Sequence, residues 1–403
     1  MSRFGCRLFQ NIMKIGMYFI PWREPKLLEG ENSISEVSEI FLSKGITSVL
    51  LVTDKGIVDR GMHLPIVDAL KNANIDCMVF DKTVPNPTID NIEDGLKIYK
   101  ENNCNGIIAL GGGSPMDCAK GIGARAVNPN KSVSRMRGLL KVGKNIPTFV
   151  AIPTTAGTGS ETTLAAVITD SITHEKYAIN DPHLIPHYAI LDPTLTISLP
   201  KMLTATTGMD ALTHAVEAYI GNSNTKKTKR CAEEATKLIF ENLKTAVQNG
   251  DDIKARENMQ RASFLAGVAF TRAYVGNIHA IAHTLGGEYH TPHGLANAVI
   301  MPYVLKYYGK TIYKKIYQLC EKANLFKDIK QPKLRTEKFI SEIEKMNKEF
   351  NIPTCIEELK VKDIDVLISR AKKEANPLYP VPKIFNDQDF RNIYEMLLCD
   401  KNK

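Results

Sequence analysis

The sequence predicts an α/β N-terminal domain, a doubly wound Rossmann-like parallel sheet over residues 1–199, followed by an all-α domain over residues 200–403. Three observations carry this reading. Short β-branched runs alternate with amphipathic stretches of 10–15 residues up to about residue 195. Beyond Pro200 the apolar residues recur at helical spacing with almost no strand-like alternation. The chain has 403 residues, 43% of them hydrophobic, enough to bury two or three separate cores and too apolar for a disordered protein.

Taken in order, TSVLLVT (47–53) is the first strong strand, followed by a helix near 61–73. CMVF (77–80) and a helix near 88–102 come next, then GIIAL (106–110) and a helix from about 115. TFVAIP (148–153) and AILD (189–192) complete the predicted sheet. The boundary falls near Ser198–Pro200, and a substrate cleft is expected between the halves. There is no internal repeat and no low-complexity linker.

Lys+Arg 52 against Asp+Glu 44 gives a net charge of +8, but the charge is dispersed. The densest lysine stretches, 310–345 and the C-terminal KNK, alternate with acids as solvated helix faces do, so nucleic acid is not an expected partner. No apolar run approaches the roughly 18 residues of a membrane span. The eight cysteines form no CxxC pair and sit in apolar surroundings, which reads as reduced core thiols of a cytoplasmic protein. Gln10, Asn11 and Lys14 interrupt any signal-peptide core, and the N-terminus is expected to be an arm packed on the body or on a partner subunit.

The chemistry concentrates in a few motifs. GIIALGGGSPMDCAKGIG (106–123) runs a buried strand into Gly111, Gly112 and Gly113, which let a ligand approach the backbone. Ser114 can cap the following helix and Pro115 suits its first position, so a pyrophosphate would sit at this helix N-terminus. The spacing is neither of the common phosphate-loop patterns, and a ligand-free turn would look similar. IPTTAGTGSE (152–161) follows another strand and offers Thr154, Thr155, Thr158 and Ser160 for hydrogen bonds to a nucleotide. Asp54, at the end of the first strand, is placed to accept from ribose hydroxyls. It would repel a 2′-phosphate by roughly 4 kcal/mol at 4 Å and an effective dielectric of 20, which favours NAD over NADP.

TGMDALTHAVEAY (207–219) places Asp210 and His214 one helical turn apart. NIHAIAHTLGGEYHTPHG (277–294) does the same for His279 and His283, with His290 and His293 after the helix end. Five of the nine histidines fall in two windows, and two helices that each present a ligand pair can surround one ion. Imidazole and carboxylate without thiolate suit Fe²⁺, Zn²⁺, Mn²⁺ or Ni²⁺.

With VTDKG, VPNPT (84–88) and KYAINDPHLIP (176–186), these motifs resemble the iron-containing (group III) alcohol dehydrogenases, from PKLLEG (25–30) to ANPLYPVP (375–382). The resemblance implies an oxidoreductase that moves hydride between a nicotinamide cofactor and a small alcohol or aldehyde. It implies metal ligation by Asp210, His214, His279 and His293, with Fe²⁺ the family metal and Zn²⁺ or another divalent ion equally compatible with the donors. His283 matches the histidine that faces the nicotinamide and is the candidate catalytic proton carrier. Cofactor contacts carry over to Asp54, Gly112, Gly113, Ser114, Asp117, Thr154, Thr155, Thr158 and Lys176. His290 matches no ligand position and reads as cleft-lining, and a homodimer or higher homo-oligomer is implied. The alternative within the same architecture is a lyase resembling dehydroquinate synthase, which would require a basic cluster for a phosphorylated substrate, and no such Lys/Arg set lies beside the histidine motifs.

Overall fold

The computed structural model describes residues 2–18, 22–172 and 175–400. The chain divides into two compact units, Pro21–Ser198 and Met1–Ile20 with Leu199–Lys403. The first helix, α1 (Arg3–Tyr18), therefore groups with the C-terminal half, whereas the sequence reading counted it with the α/β half.

The α/β unit holds β1 (Lys26–Glu29), α2 (Val37–Leu42), β2 (Ser48–Val52), α3 (Lys55–Asp59), α4 (Leu64–Asn72), β3 (Asp76–Phe80), α5 (Ile89–Glu101), β4 (Gly106–Gly111) and α6 (Gly113–Val127). After these come β5 (Gly138–Leu139), β6 (Thr148–Pro153), β7 (Ala165–Thr169), β8 (Lys176–Asn180) and β9 (Tyr188–Leu191). Six strands make a parallel sheet in the order β1-β9-β6-β4-β2-β3.

Strand apolarity on both faces follows from helices on both sides. Leu50, Val52, Ile107, Ala109, Phe149 and Ala151 face one core, built with Ile92 of α5 and Ala119 and Ile122 of α6. Their neighbours Val49, Leu51, Ile108, Leu110, Val150 and Ile152 face the other, built with Val37 and Phe41 of α2 and Ile66 and Leu70 of α4. The chain steps outward from β2 to β3 and returns past β2 to β4, so the strand order reverses between β2 and β4. Ligands of doubly wound sheets bind beyond the carboxyl ends of the strands at such a switch point. Asp54 follows β2, the three glycines close β4, and Thr154 follows β6.

A second, three-stranded sheet in the order β5-β8-β7 was not foreseen. Its antiparallel pair runs Ala165↔Asn180 to Thr169↔Lys176. These strands are short and half exposed, so they lack the apolar signature of the main sheet.

The helical unit contains α1, then α7 (Lys201–Ile220), α8 (Lys226–Gln248), α9 (Ile253–Ala273), α10 (Asn277–Tyr289) and α11 (His293–Tyr308). It continues with α12 (Tyr313–Lys322), α13 (Pro332–Glu349), α14 (Ile364–Ala375) and α15 (Asp387–Leu397). From Thr204 to Ile220 nearly every side chain of α7 is buried, so it is the central rod of the unit. Its alanines, threonines and Gly208 keep neighbouring helices close, and α8, α9 and α11 pack on it. Cys355 and Cys399 are joined by a disulfide, Cα–Cα 5.3 Å, which departs from the expectation that all eight thiols are reduced; the other six are free. Sequence alone offers no sign of this pairing, because 44 residues separate the two positions. No helix among the described residues is long and apolar enough to cross a membrane.

Candidate metal centre and nucleotide-binding edge

In the helical unit, Asp210 and His214 project from the middle of α7, His279 from α10, and His293 from the first position of α11. One donor atom from each lies within 4.8 Å of the others. Asp210 Oδ1 is 3.8 Å from His279 Nε2 and 3.5 Å from His293 Nε2. Four donors about 2.1 Å from one ion in a tetrahedron stand about 3.4 Å apart, so the side chains are nearly in place for a cation. Three of the four are buried, and His293 is the partly open one.

The rings are braced rather than loose. His214 stacks on Phe270 of α9 at 4.1 Å and on His279 at 4.5 Å. His279 Nδ1 donates to Glu217 Oε2 at 2.7 Å, which leaves Nε2 with its lone pair directed at the cluster. Glu217 also accepts from the backbone N–H groups of Gly276 and Ile278, both at 2.8 Å, so one carboxylate seats the start of α10 and the histidine one turn along it. A Cβ on Gly276 would stand 2.6 Å from Glu217 Oε1, so this position has room only for glycine. Asn297 Nδ2 donates to Asp210 Oδ1 at 2.7 Å and lies 3.1 Å from Nε2 of both His279 and His293. One amide group thus lies within hydrogen-bond distance of three of the four donor residues.

Electrostatics agree with a cation site. Burial raises the Asp210 carboxyl, partly opposed by His214 and by the Asn297 hydrogen bond. Burial also lowers His279 far below the ordinary imidazole range, reinforced by the neighbouring histidines, so it stays neutral. A buried carboxylate and neutral imidazoles are the states a divalent ion needs, and the ion would supply the positive charge the site lacks. The residues present fit the metal that the motifs imply.

His283 is one turn beyond His279 on α10. Its ring stacks on that of His293 at 5.2 Å, and its Nδ1 donates to Glu374 Oε1 at 2.6 Å. Desolvation works against its charged form, but Glu374, through charge and hydrogen bond, outweighs this and raises its pKa. His290 ends α10 in the left-handed region, φ 58°, and is not part of the cluster.

In the α/β unit, Gly111 has φ 145°, and α6 begins at Gly113 with Gly112 as its N-cap. Ser114 is therefore inside the helix rather than capping it, and its Oγ accepts from Asn86 N at 3.2 Å. Pro115 is the third residue of the helix, not the first. The second loop lies against this turn. A Cβ on Gly112 would be 3.6 Å from Thr155 Oγ1, and one on Gly113 would be 3.5 Å from Thr158 Cγ2. Thr155 Oγ1 is buried without a hydrogen-bond partner. Bare backbone at a helix N-terminus beside an unused hydroxyl fits a phosphate group.

Asp54 is the N-cap of α3, accepting from Ile57 N at 3.1 Å. Thr154 is buried and its N–H donates to Gly111 O at 3.0 Å, tying the two loops together. Asp117 points into the fold, accepting from Ser160 Oγ at 3.0 Å and Val167 N at 3.1 Å, so it braces the loops. Lys176 opens β8, and burial lowers its pKa.

The sequence reading did not single out Glu217, Asn297, Phe270, Lys120 or Glu374. Glu217 stands three residues after His214 and Asn297 four after His293, so helical spacing could have flagged both. Lys120 is fully buried, donating to Ser160 O at 2.8 Å, Thr163 Oγ1 at 2.7 Å and Ala165 O at 2.9 Å.

Comparison with known proteins identifies the family. Residues 24–193 match the family described as iron-containing alcohol dehydrogenase, and residues 204–398 match its C-terminal counterpart, described as Fe-containing alcohol dehydrogenase family, C-terminal. The chain is 39% identical over 369 residues to 1,3-propanediol dehydrogenase of Citrobacter freundii, covering 91% of this chain and 95% of that one. It is 36% identical over 382 residues to NAD-dependent methanol dehydrogenase of Bacillus methanolicus, covering 94% and 99%. A crystal structure of 1,3-propanediol oxidoreductase superposes with a TM-score of 0.89 at 36% identity, covering 94% of this chain and all of that one.

Proposed function

Because the chain belongs to the iron-containing alcohol dehydrogenase family, we propose that it is a metal-activated oxidoreductase in which Asp210, His214, His279 and His293 hold the ion. It is an NAD-dependent enzyme of alcohols and aldehydes. The observation that carries the metal reading is the convergence of three imidazole nitrogens and one carboxylate oxygen within 4.8 Å. Fe²⁺ is the proposed metal and NAD, rather than NADP, the proposed cofactor. The proposed substrates are small alcohols, diols or hydroxyaldehydes. A cytoplasmic homodimer is the proposed working form.

When bound, a divalent ion acts as a Lewis acid, polarising a carbonyl oxygen or acidifying a hydroxyl. The chain's own residues do the rest. Glu217 holds His279 in the tautomer that presents Nε2, and Asn297 holds Asp210. A bound nicotinamide would supply the hydride acceptor, and His283 would take the proton of the alcohol hydroxyl, so that oxidation gives aldehyde, reduced cofactor and one proton. In reduction His283 returns that proton. Asp54 would accept from the adenosine ribose, and the Gly111–Gly113 turn with Thr154, Thr155 and Thr158 would take the pyrophosphate. Ser114, Asp117 and Lys176 complete the proposed cofactor set, Asp117 by bracing the loop that carries Ser160.

The test is an Fe²⁺-loaded preparation assayed at 340 nm against small alcohols and aldehydes with NAD(H) and NADP(H). NAD-dependent turnover, abolished in Asp210→Ala with NAD binding intact, is the expected result. A clear preference for NADP(H) would remove Asp54 from its assigned role, and absence of turnover with every substrate would overturn the reading.

A further inference from the structure

The helix α1 precedes the matched family region, which begins at residue 24, and the sequence alone marked it only as an arm packed on the body or on a partner subunit. In the helical unit it has a buried face carrying Cys6 and Gln10 and an exposed face carrying Phe4, Leu8, Ile12 and Ile15. The buried face is directed at one segment. Gln10 Nε2 donates to Pro377 O at 3.0 Å and Tyr379 O at 2.8 Å, while Arg7 donates to Val381 O at 2.7 Å and Pro382 O at 3.0 Å. Arg7 also donates to Gln10 Oε1 at 2.9 Å, so the two side chains act as one fork.

The segment they hold is NPLYPVP, outside any helix or strand. Its three prolines have no N–H, so it cannot make a regular ladder, and apart from Tyr379 O, which also accepts from Val381 N at 2.8 Å, its bonded carbonyls take their donors from outside the segment. From it the buried side chain of Tyr379 reaches Glu374 on the last turn of α14, donating its hydroxyl to Oε1 at 2.7 Å. The same Oε1 accepts from His283 Nδ1 at 2.6 Å. A continuous series of hydrogen bonds thus runs from Gln10 through the Tyr379 backbone and hydroxyl and the Glu374 carboxylate to the imidazole assigned to proton transfer.

We propose that α1 is a strap that positions His283: it fixes the 377–382 segment, so that Tyr379 orients Glu374, which holds His283 with its proton on Nδ1 and leaves Nε2 for the substrate. Glu374 and Tyr379 are positioning residues in this scheme, and Gln10 acts through them. A carboxylate that fixes the tautomer of a catalytic imidazole is a recurring device, and losing such an outer partner typically costs about 10- to 100-fold. The inference rests on the reading of His283 as the proton carrier.

The test uses the full-length, metal-loaded enzyme. Glu374→Gln is expected to lower kcat about 10- to 100-fold, with alcohol KM and bound metal changed less than about twofold. Tyr379→Phe and Gln10→Ala are each expected to lower kcat about 3- to 10-fold, the range set by loss of one or two neutral hydrogen bonds. Because the contacts act in series, Gln10→Ala combined with Tyr379→Phe is expected to match the worse single variant, where independent structural damage would multiply. Phe4→Ala, on the exposed face of the same helix, is expected to leave kcat within about twofold of the parent. A readout independent of turnover is the low-field proton resonance of His283 Nδ1, expected to shift in Gln10→Ala and Tyr379→Phe. Multiplicative kcat losses with an unmoved resonance would overturn the strap. Absence of turnover in the parent would instead remove the functional reading, and the resonance would still decide whether α1 positions His283.

Discussion

Three imidazoles and a carboxylate crowded into a buried site repel one another and lose hydration unless something offsets both costs. Here the offset begins with single residues outside the ligand set. Glu217 accepts three N–H groups, two from the backbone of α10 and one from His279. Glu217→Gln keeps the size but places an amide where three donors converge, and is expected to weaken metal affinity about 10- to 100-fold, read by metal titration of the purified protein. Gly276→Ala puts a carbon 2.6 Å from the Glu217 carboxylate. It is expected to reproduce that metal defect and to lower thermal stability, because either the carboxylate or the start of α10 must move.

At the level of elements, the proposed nucleotide-binding edge depends on how β6, β9 and the loop after β6 are held. His187, just before β9, accepts from Phe149 N of β6 through its Nδ1 at 3.1 Å, and its own N–H donates to Phe149 O at 2.9 Å. That bond requires a neutral imidazole, and burial, aided by Arg23 and Lys44, lowers its pKa to about 4. A lowered folded-state pKa contributes stability that is full above the unfolded value near 6.5 and is lost as pH falls toward 4. The α/β unit is expected to lose up to about 3 kcal/mol across that window, measured by denaturant unfolding at several pH values, and His187→Gln is expected to flatten this limb. Lys120 makes the equivalent link between α6 and the 160–165 loop, and burial brings its pKa down to about 8. Lys120→Met leaves buried acceptors without their donor and is expected to cost about 3 kcal/mol and to weaken NAD binding, checked by unfolding and by fluorescence titration.

For the whole molecule, the proposed metal ligands and the proposed cofactor contacts lie in different units, so ligands can report on each in turn. A ligand that binds only the folded state adds about 2.7 kcal/mol at a hundredfold excess over its Kd. Divalent metal is expected to raise the melting temperature of the parent protein and to lose that effect in Asp210→Ala, while the shift produced by NAD survives. Chelation of the parent is expected to reverse the metal shift alone. Loss of both shifts in Asp210→Ala would mean that the two sites are not energetically separable.

How much of this was legible in the chain depends on the distance over which each feature is encoded. Asp210 with His214, and His279 with His283, repeat at one helical turn, and the Gly111–Gly113 run ends a strand, so local periodicity alone marked them. The main sheet was equally open to reading, because strands buried on both faces must be continuously apolar. Other features have no local signature. The small β5-β8-β7 sheet is half exposed, the Cys355–Cys399 pair spans 44 residues, and the placement of α1 depends on carbonyls more than 360 residues away. The sequence by itself determined the fold class and marked the candidate donor residues, because helix and strand periods and ligand spacing are short-range properties. Only the tertiary structure decided which carboxylate serves which histidine, that Glu217 holds His279 and Glu374 holds His283, because a hydrogen bond between distant residues exists only once packing has brought donor and acceptor within 3 Å.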